Sequence, residues 1–278
     1  MKLTAGWDDP VPEDLRYKWV QNFWRIEKLK GLKFQRARMP ENAVSSEMDL
    51  ITAVDASEEL KVVATWGRFR LANGKFSCQY LIGRSLLADD TIPRNELDAL
   101  VMGSNLSWIV RQALENWVSS YILVGDSTIA QRWVCNDEKK LSLYHRNRAV
   151  QVRRGTELDK LYHVASKFNP SDLCTKPAAV RDDFDVGPNS SWEKGLPWMN
   201  NKIEDAVSSG ILTPAGKVQL SKEEEDTFNQ GFVFEKSFEI LTPGHPVVLS
   251  SQRIDKSSSI IYFFQQNLLL RRLQGFMV

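Results

Sequence analysis

The sequence predicts an α/β protein: a mixed five-stranded sheet with helices on both faces, plus N-terminal helical and C-terminal extensions. Three observations predict it. Strand-like runs follow one another at 48–55, 60–70 and 75–85, and Asn73-Gly74, a pair at ease with positive φ, joins the last two as a hairpin. From residue 93 onward strands alternate with helical patterns, which argues for parallel neighbours with helices packed on the sheet. Two apolar strands, L-I-T-A-V-D-A-S at 50–57 and Y-I-L-V-G-D-S at 121–127, each stop on an aspartate.

Taken in order, residues 7–31 read as a helix opened by Glu13-Asp14 and stopped by Gly31. Trp19, Phe23, Ile26 and Leu29 fall at helical spacing and predict a core-facing stripe. Residues 93–117 read as a long helix with Pro93 in its first turn. Leu97, Leu100, Val101, Ile109, Val110, Ala113, Leu114 and Trp117 make its apolar face. Short helices at 127–135 and 141–153 and a strand at 161–166 follow, and Asn169-Pro170-Ser171-Asp172 turns into a further helix. Residues 178–200 read as a linker or extended tail. Beyond them come a charged run at 221–226, strand-like pieces near 231–250 and the basic-apolar end N-L-L-L-R-R-L-Q-G-F-M-V at 267–278. That end reads as an edge segment or as an amphipathic helix for a partner.

Composition narrows the function. With 278 residues the chain can bury a sizeable core, and at net charge +1 any nucleic-acid contact must come from local basic patches. Cys78, Cys135 and Cys174 are widely spaced, lack zinc-ligand spacing and predict reduced thiols in an intracellular protein. The first residues lack the apolar stretch of a signal peptide. No run approaches the ~18 apolar residues of a membrane helix, so no membrane partner is expected.

A buried carboxylate is costly unless it is paired or binds a metal. Asp55 and Asp126 end strands that would lie side by side, Glu96 sits in the first turn of the long helix, and Asp172 follows the last strand. Carboxyl ends of adjacent parallel strands are where α/β folds gather functional groups. Four such acids would repel, and hard divalent cations resolve the repulsion. Mg²⁺ prefers oxygen ligands and keeps room for phosphate oxygens, and two ions roughly 4 Å apart suit phosphoryl displacement. Taken singly, each acid is more often a strand end or a helix cap; the ordered set is the signal.

D-A-S at 55–57, I-P-R-N-E-L at 92–97, G-D-S at 125–127 and N-P-S-D-L at 169–173 together resemble the ribonuclease H segment of Bel/Pao-type LTR retrotransposon polyproteins. G-W-D-D-P-V-P-E at 6–13 resembles the stretch closing that family's reverse transcriptase, and S-W-E-K-G-L-P-W-M at 191–199 its stretch before the integrase. The resemblance covers roughly residues 5–200. It implies a ribonuclease H-like fold and cleavage of the RNA strand of RNA/DNA hybrids with two Mg²⁺ ions, or Mn²⁺ in their place. By motif match Asp55, Glu96, Asp126 and Asp172 are the catalytic, metal-binding acids, with Asp55 touching both ions. It also implies a division into 1–45 (end of the reverse transcriptase or connection region), 46–178 (ribonuclease H-like domain) and 179–278 (linker and C-terminal extension). The reverse transcriptase and integrase regions of the same polyprotein are the implied partners, and the cytoplasm, a virus-like particle or the nucleus the implied location. There are departures from the family pattern. Cys174-Thr175-Lys176-Pro177 stands where Ser-Arg-Gly usually follows, and the loop Ser166-Lys167-Phe168 has no histidine, leaving His163 as a structural residue on the preceding strand.

A hybrid-binding surface needs cations for phosphates. Arg94, inside a metal-ligand motif, is the favoured contact. Arg68, Arg70, Arg84, Arg146, Arg148, Arg153 and Arg154 are further candidates, each more simply read as a solvated charge. Ser57 and Ser127 follow acids closely and would either touch substrate phosphate or cap the next turn. The alternative to a nuclease is a non-catalytic nucleic-acid-binding or scaffold remnant of the same fold, which the absence of palm and zinc-cluster motifs would suit. A DNA strand-transferase is disfavoured by the I-P-R-N-E-L motif.

Overall fold

The computed structural model describes residues 10–28, 30–35, 37–175 and 187–232. The chain divides into two units, Met1–Gln35 and Arg36–Val278. In the first, α1 spans Glu13–Lys28. Pro12 precedes it, acidic Glu13 and Asp14 complement its N-terminal partial charge, and Gly31 at φ 88° turns the chain away after it. The expected core stripe is not buried. Trp19, Phe23 and Ile26 are 60–63 % exposed, and Trp24 68 %. Helical spacing aligns such residues, but among the described residues of this unit α1 is the sole element, so nothing there covers them.

The second unit begins with β1 (Ala43–Ala56), β2 (Leu60–Leu71) and β3 (Phe76–Leu87). It continues through α2 (Ile92–Ala113), β4 (Val118–Gly125), α3 (Thr128–Cys135), α4 (Leu143–Gly155), β5 (Leu161–Val164) and α5 (Asp172–Thr175). Gly74, at φ 79°, closes the β2–β3 hairpin, and Asn73 Oδ1 accepts from the Lys75 amide at 3.0 Å. Strand order is β3-β2-β1-β4-β5-β6, with β6 at Leu212–Pro214. β1 pairs antiparallel with β2 and parallel with β4, and β4 pairs parallel with β5.

The central strand β1 is buried from Leu50 to Ala56, and mostly apolar there, because both its faces are covered. Side chains alternate across it. Leu50 and Val54 join a core with Leu97, Leu100, Leu123, Trp133 and Val152 from beneath α2, α3 and α4. Ile51 and Ala53 face the other way, into a core with Trp66, Val124, Val164, Trp198 and Met199. Among the described residues no helix is long and apolar enough to cross a membrane.

The sheet has six strands where five are expected. β6 is only three residues long, too short to show a strand period, and it pairs antiparallel with β5 through Val164–Leu212 and Tyr162–Pro214. The stretch read as a linker or tail supplies part of the cover of the second core through α6 (Ser191–Lys194), and α7 (Ile203–Ser208), just beyond it, adds to that cover. Trp66 Nε1 donates to the Trp192 carbonyl at 2.7 Å, Trp198 Nε1 to the Phe168 carbonyl at 2.9 Å, and the Cys78 amide to Asn200 Oδ1 at 2.8 Å. The charged run opens α8 (Lys222–Asn229) with a Ser221–Glu224 capping box. α8 is held by Trp133 Nε1 donating to the Phe228 carbonyl at 2.8 Å. The strand-like pieces after 232 and the basic-apolar end at 267–278 lie outside the described residues.

Candidate metal centre

Strand register brings the first two acids together. Ala53 pairs with Val124 across the parallel β1–β4 ladder, and two residues further along stand Asp55, still on β1, and Asp126, just past the end of β4. Helix packing brings the third. Gly103 of α2 lies so close to the sheet that a Cβ there would stand 2.4 Å from Val54 Cγ1 and 2.8 Å from Leu123 Cδ1. Glu96 is two turns earlier on the same helical face, roughly 10 Å along the axis, which carries it past the strand ends. Carboxylate oxygens of Asp55, Glu96 and Asp126 all lie within 4.8 Å of one another.

Asp55 is buried, Glu96 and Asp126 are half-buried, and the three carboxyls repel one another. Asp55 is only 7 % exposed, and burial, then repulsion from Asp126 and from Asp172, push its carboxyl up to about 7. A hydrogen bond from the Thr175 hydroxyl opposes that rise. Burial pushes Glu96 up to about 8, with Asp126, Asp55 and Glu224 adding repulsion and a hydrogen bond to Ser127 opposing it. The same recess is lined by Gln131, whose Nε2 bridges the Gly125 and Tyr162 carbonyls at 2.9 Å each. Its Oε1 is buried with no hydrogen-bond partner among the described residues. A partly buried set of hard oxygen donors that repel one another when ionised, in a recess shared with an orphaned amide oxygen, fits a hydrated divalent cation of the magnesium type.

Asp172 stands apart from this three-acid cluster but close enough to repel Asp55. Its motif is a staple. Asn169 Nδ2 donates to the Val54 carbonyl at 2.9 Å, Ser171 Oγ donates to the Ala53 carbonyl at 2.8 Å, and both residues are buried. The loop bearing Asp172 is thereby fixed to the strand bearing Asp55.

The other anticipated site residues lie as follows. Ser127 caps α3, accepting from the Ala130 amide at 3.2 Å, and also bonds Glu96. Ser57 closes the β1–β2 turn, accepting from the Glu59 and Leu60 amides at 3.2 and 3.1 Å. Arg94, two residues from Glu96, lies on another helical face, where it pairs with Asp90 at 3.3 Å and covers the Tyr144 ring at 4.8 Å. Arg68 is buried against Asp49, Arg148 pairs with Asp98 at 2.9 Å, and Arg153 binds the Val134 carbonyl at 2.7 Å. His163 Nε2 meets the Asp126 carbonyl at 3.1 Å.

Three residues at this edge escape a reading of the sequence. Thr175 occupies a position where the motif departs from its family pattern, yet it donates to Asp55. Gln131 is hidden in a helical stretch. Glu224 comes from the charged run; it accepts from the Thr128 hydroxyl at the start of α3 and lies within electrostatic reach of Glu96 and His163. Its one visible signal is S-K-E-E, which marks a capping box and nothing more.

Comparison with known proteins bears on the same region. Residues 1–127 match the family model described as the Pao retrotransposon-like RNaseH-like domain. Comparison with curated proteins gives no match. The N-terminal RNase H domain of a Mycobacterium tuberculosis protein, solved as a maltose-binding-protein fusion, is similar at 12 % identity and TM-score 0.29, covering 44 % of this chain and 86 % of that one. RNase H1 from the halophilic archaeon Halobacterium salinarum is similar at 15 % identity and TM-score 0.30, covering 49 % of this chain and 98 % of that one. Asp55, Glu96 and Asp126 all fall within the stretch, residues 1–127, that is similar to the Pao retrotransposon-like RNaseH-like domain.

Proposed function

We propose that the chain is a divalent-cation-dependent endonuclease that hydrolyses the RNA strand of RNA/DNA hybrids by a two-ion mechanism. The observation that carries this reading is the convergence of Asp55, Glu96 and Asp126 at one partly buried sheet edge. Asp55, on the central strand between the other acids, would serve both ions. Glu96 and Asp126 would hold one, and Asp172 would complete the other. Bound there, Mg²⁺ or Mn²⁺ supplies Lewis-acid polarisation of the phosphodiester and stabilises charge building on it.

The protein's own groups hold this arrangement ready. Thr175 orients Asp55, Ser127 orients Glu96, and Asn169 with Ser171 sets the approach of Asp172. Arg94 is suited to a substrate phosphate, because its pair with Asp90 is a half-exposed helix-surface contact worth only ~0.3–0.5 kcal/mol, easily exchanged for a stronger anion. Reverse transcriptase and integrase regions of a common polyprotein are the partners this reading supplies.

The test is cleavage of a labelled RNA/DNA hybrid in Mg²⁺ or Mn²⁺ by the wild type, Asp55→Asn and Asp126→Asn. Metal-dependent cutting of RNA alone, lost in both variants, is expected. Hybrid binding without cutting, in folded wild-type protein, would replace this reading with a non-catalytic binding module.

A further inference from the structure

Asp49 and Asp55 lie on the same face of β1, six residues and thus roughly 20 Å apart. At the Asp49 end a cavity of about 550 Å³ opens, walled by the middle of β1, the end of β2, the starts of β3, β4 and β5 and residues 202–204. The volume suits a group the size of a nucleotide.

Its charges are not internally balanced. Asp49 is neutralised by Arg68, whose Nε lies 3.1 Å from Oδ2. Arg70, Lys160 and Lys202 remain, from three separate stretches of chain. Among the described residues Arg70 and Lys202 have no ion-pair partner. Lys160 has only Asp159, at 3.7 Å in a pair exposed enough to be worth little. Glu204 is the remaining acid in the wall. Three cations converging on one concavity, against their mutual repulsion, are the electrostatic footprint of a polyanion site. The Tyr162 ring in the same wall offers a stacking surface, since every base presents a flat face.

We propose that this cavity binds single-stranded nucleic acid, with backbone phosphates on Arg70, Lys160 and Lys202 and a base against Tyr162. The proposal rests on the nuclease reading only in choosing a nucleic acid among phosphate-bearing ligands. Its role would be a second hold on a strand, away from the acids.

The experiment measures binding of a labelled oligothymidylate of about 12 nucleotides to the full chain in EDTA, across a salt series. Three proteins are compared: wild type, Arg70→Glu with Lys202→Glu, and a control pair, Lys139→Glu with Lys140→Glu, whose exposed side chains line no part of the cavity. The cavity pair should bind ~10-fold or more weakly, with the slope of log affinity on log salt shallower by about 1.4, two contacts at about 0.7 each. The control pair should bind like the wild type. Equal weakening in both pairs, or none in the cavity pair, overturns the proposal. Should thermal melting show that the glutamates disturb the fold, Arg70→Gln with Lys202→Gln is read for the same two outcomes. EDTA separates this result from catalysis. A wild type that binds the strand through the cavity but never cuts a hybrid defeats the nuclease reading alone. One that cuts hybrids but binds strands equally well without the cavity charges defeats this proposal alone.

Discussion

Asn169 donates its side-chain amide to the main-chain carbonyl of Val54 at 2.9 Å, one residue before the buried carboxylate of Asp55. Its Oδ1 meanwhile accepts the Ser171 amide at 3.1 Å. One side chain therefore joins the strand carrying the first acid to the turn carrying the last. Asn169→Ala would remove a buried donor from the Val54 carbonyl and should lower stability by about 1–3 kcal/mol in denaturant titration. Hybrid cleavage should fall further than the loss of folded protein explains. A variant with full stability and activity would show the turn to be held by something else.

The acids should make the metal-free protein sensitive to pH in an uncommon direction. Asp55 and Glu96 keep protons up to about 7 and about 8 in the folded chain, against ordinary values of 3.8 and 4.5. Folded-state values lie above unfolded ones, so between them the folded state binds more protons. The stability these groups contribute is fully present below about pH 4 and is lost as pH rises through 7 to 8. Thermal melts in EDTA should therefore drop between pH 5 and pH 8, and Mg²⁺ should restore the melting temperature at pH 8. Asp55→Asn should remove the part of that drop due to Asp55, stabilising the metal-free protein at pH 8 by on the order of 2 kcal/mol while abolishing cleavage, and the buried Glu96 should keep the rest. Melts that do not change over this range would contradict the buried cluster.

Gly103 should tolerate no larger residue. A methyl group there would meet Val54 and Leu123 well inside contact distance. Gly103→Ala should cost about 1–3 kcal/mol by overpacking, and Gly103→Val more. Because Glu96 lies on the same helical face, displacement of α2 should also raise the Mg²⁺ concentration needed for half-maximal cleavage. Loss of stability without any change in metal dependence would uncouple the helix seat from the acid it carries.

Glu224 lies where it repels Glu96, so it adds negative potential to a site read as cation-binding. Glu224→Gln keeps an acceptor for Thr128 and removes the charge. A screened interaction of ~0.5–1 kcal/mol corresponds to a Mg²⁺ midpoint ~2–5-fold higher, with the maximal rate retained. A midpoint unchanged or lowered would mean that the charge does not reach the ions.

The extent to which the sequence was legible follows from the range of each interaction. Strands β1 to β5 and helices α2 to α4 carry their period over enough residues to be seen, and Asn73-Gly74 announces its own turn. Asp55 and Asp126 are visible because each interrupts an apolar run at its end. Asn169 and Ser171 are visible as motif letters, but their partners, Val54 and Ala53, are more than a hundred residues away, and nothing local encodes that meeting. Trp192 and Trp198 look like exposed aromatics in a Gly- and Pro-bearing stretch until the bare face of the sheet is known to need a cover. The stripe of α1 shows the converse: periodicity predicts a face, and only a neighbouring surface buries it.

That late cover has a consequence for synthesis and processing. The three clustered acids are all encoded by residue 126, yet Trp66, Cys78 and Val164 wait for partners encoded between 192 and 212. A chain emerging from the ribosome would hold its acid edge while one whole side of its sheet stood uncovered. A protease cut that removed everything after Asp172 would strand the Trp66 indole and the Cys78 amide and lay an oily surface open to water. Where such a cut falls would decide whether that face of the sheet keeps its cover or stands bare.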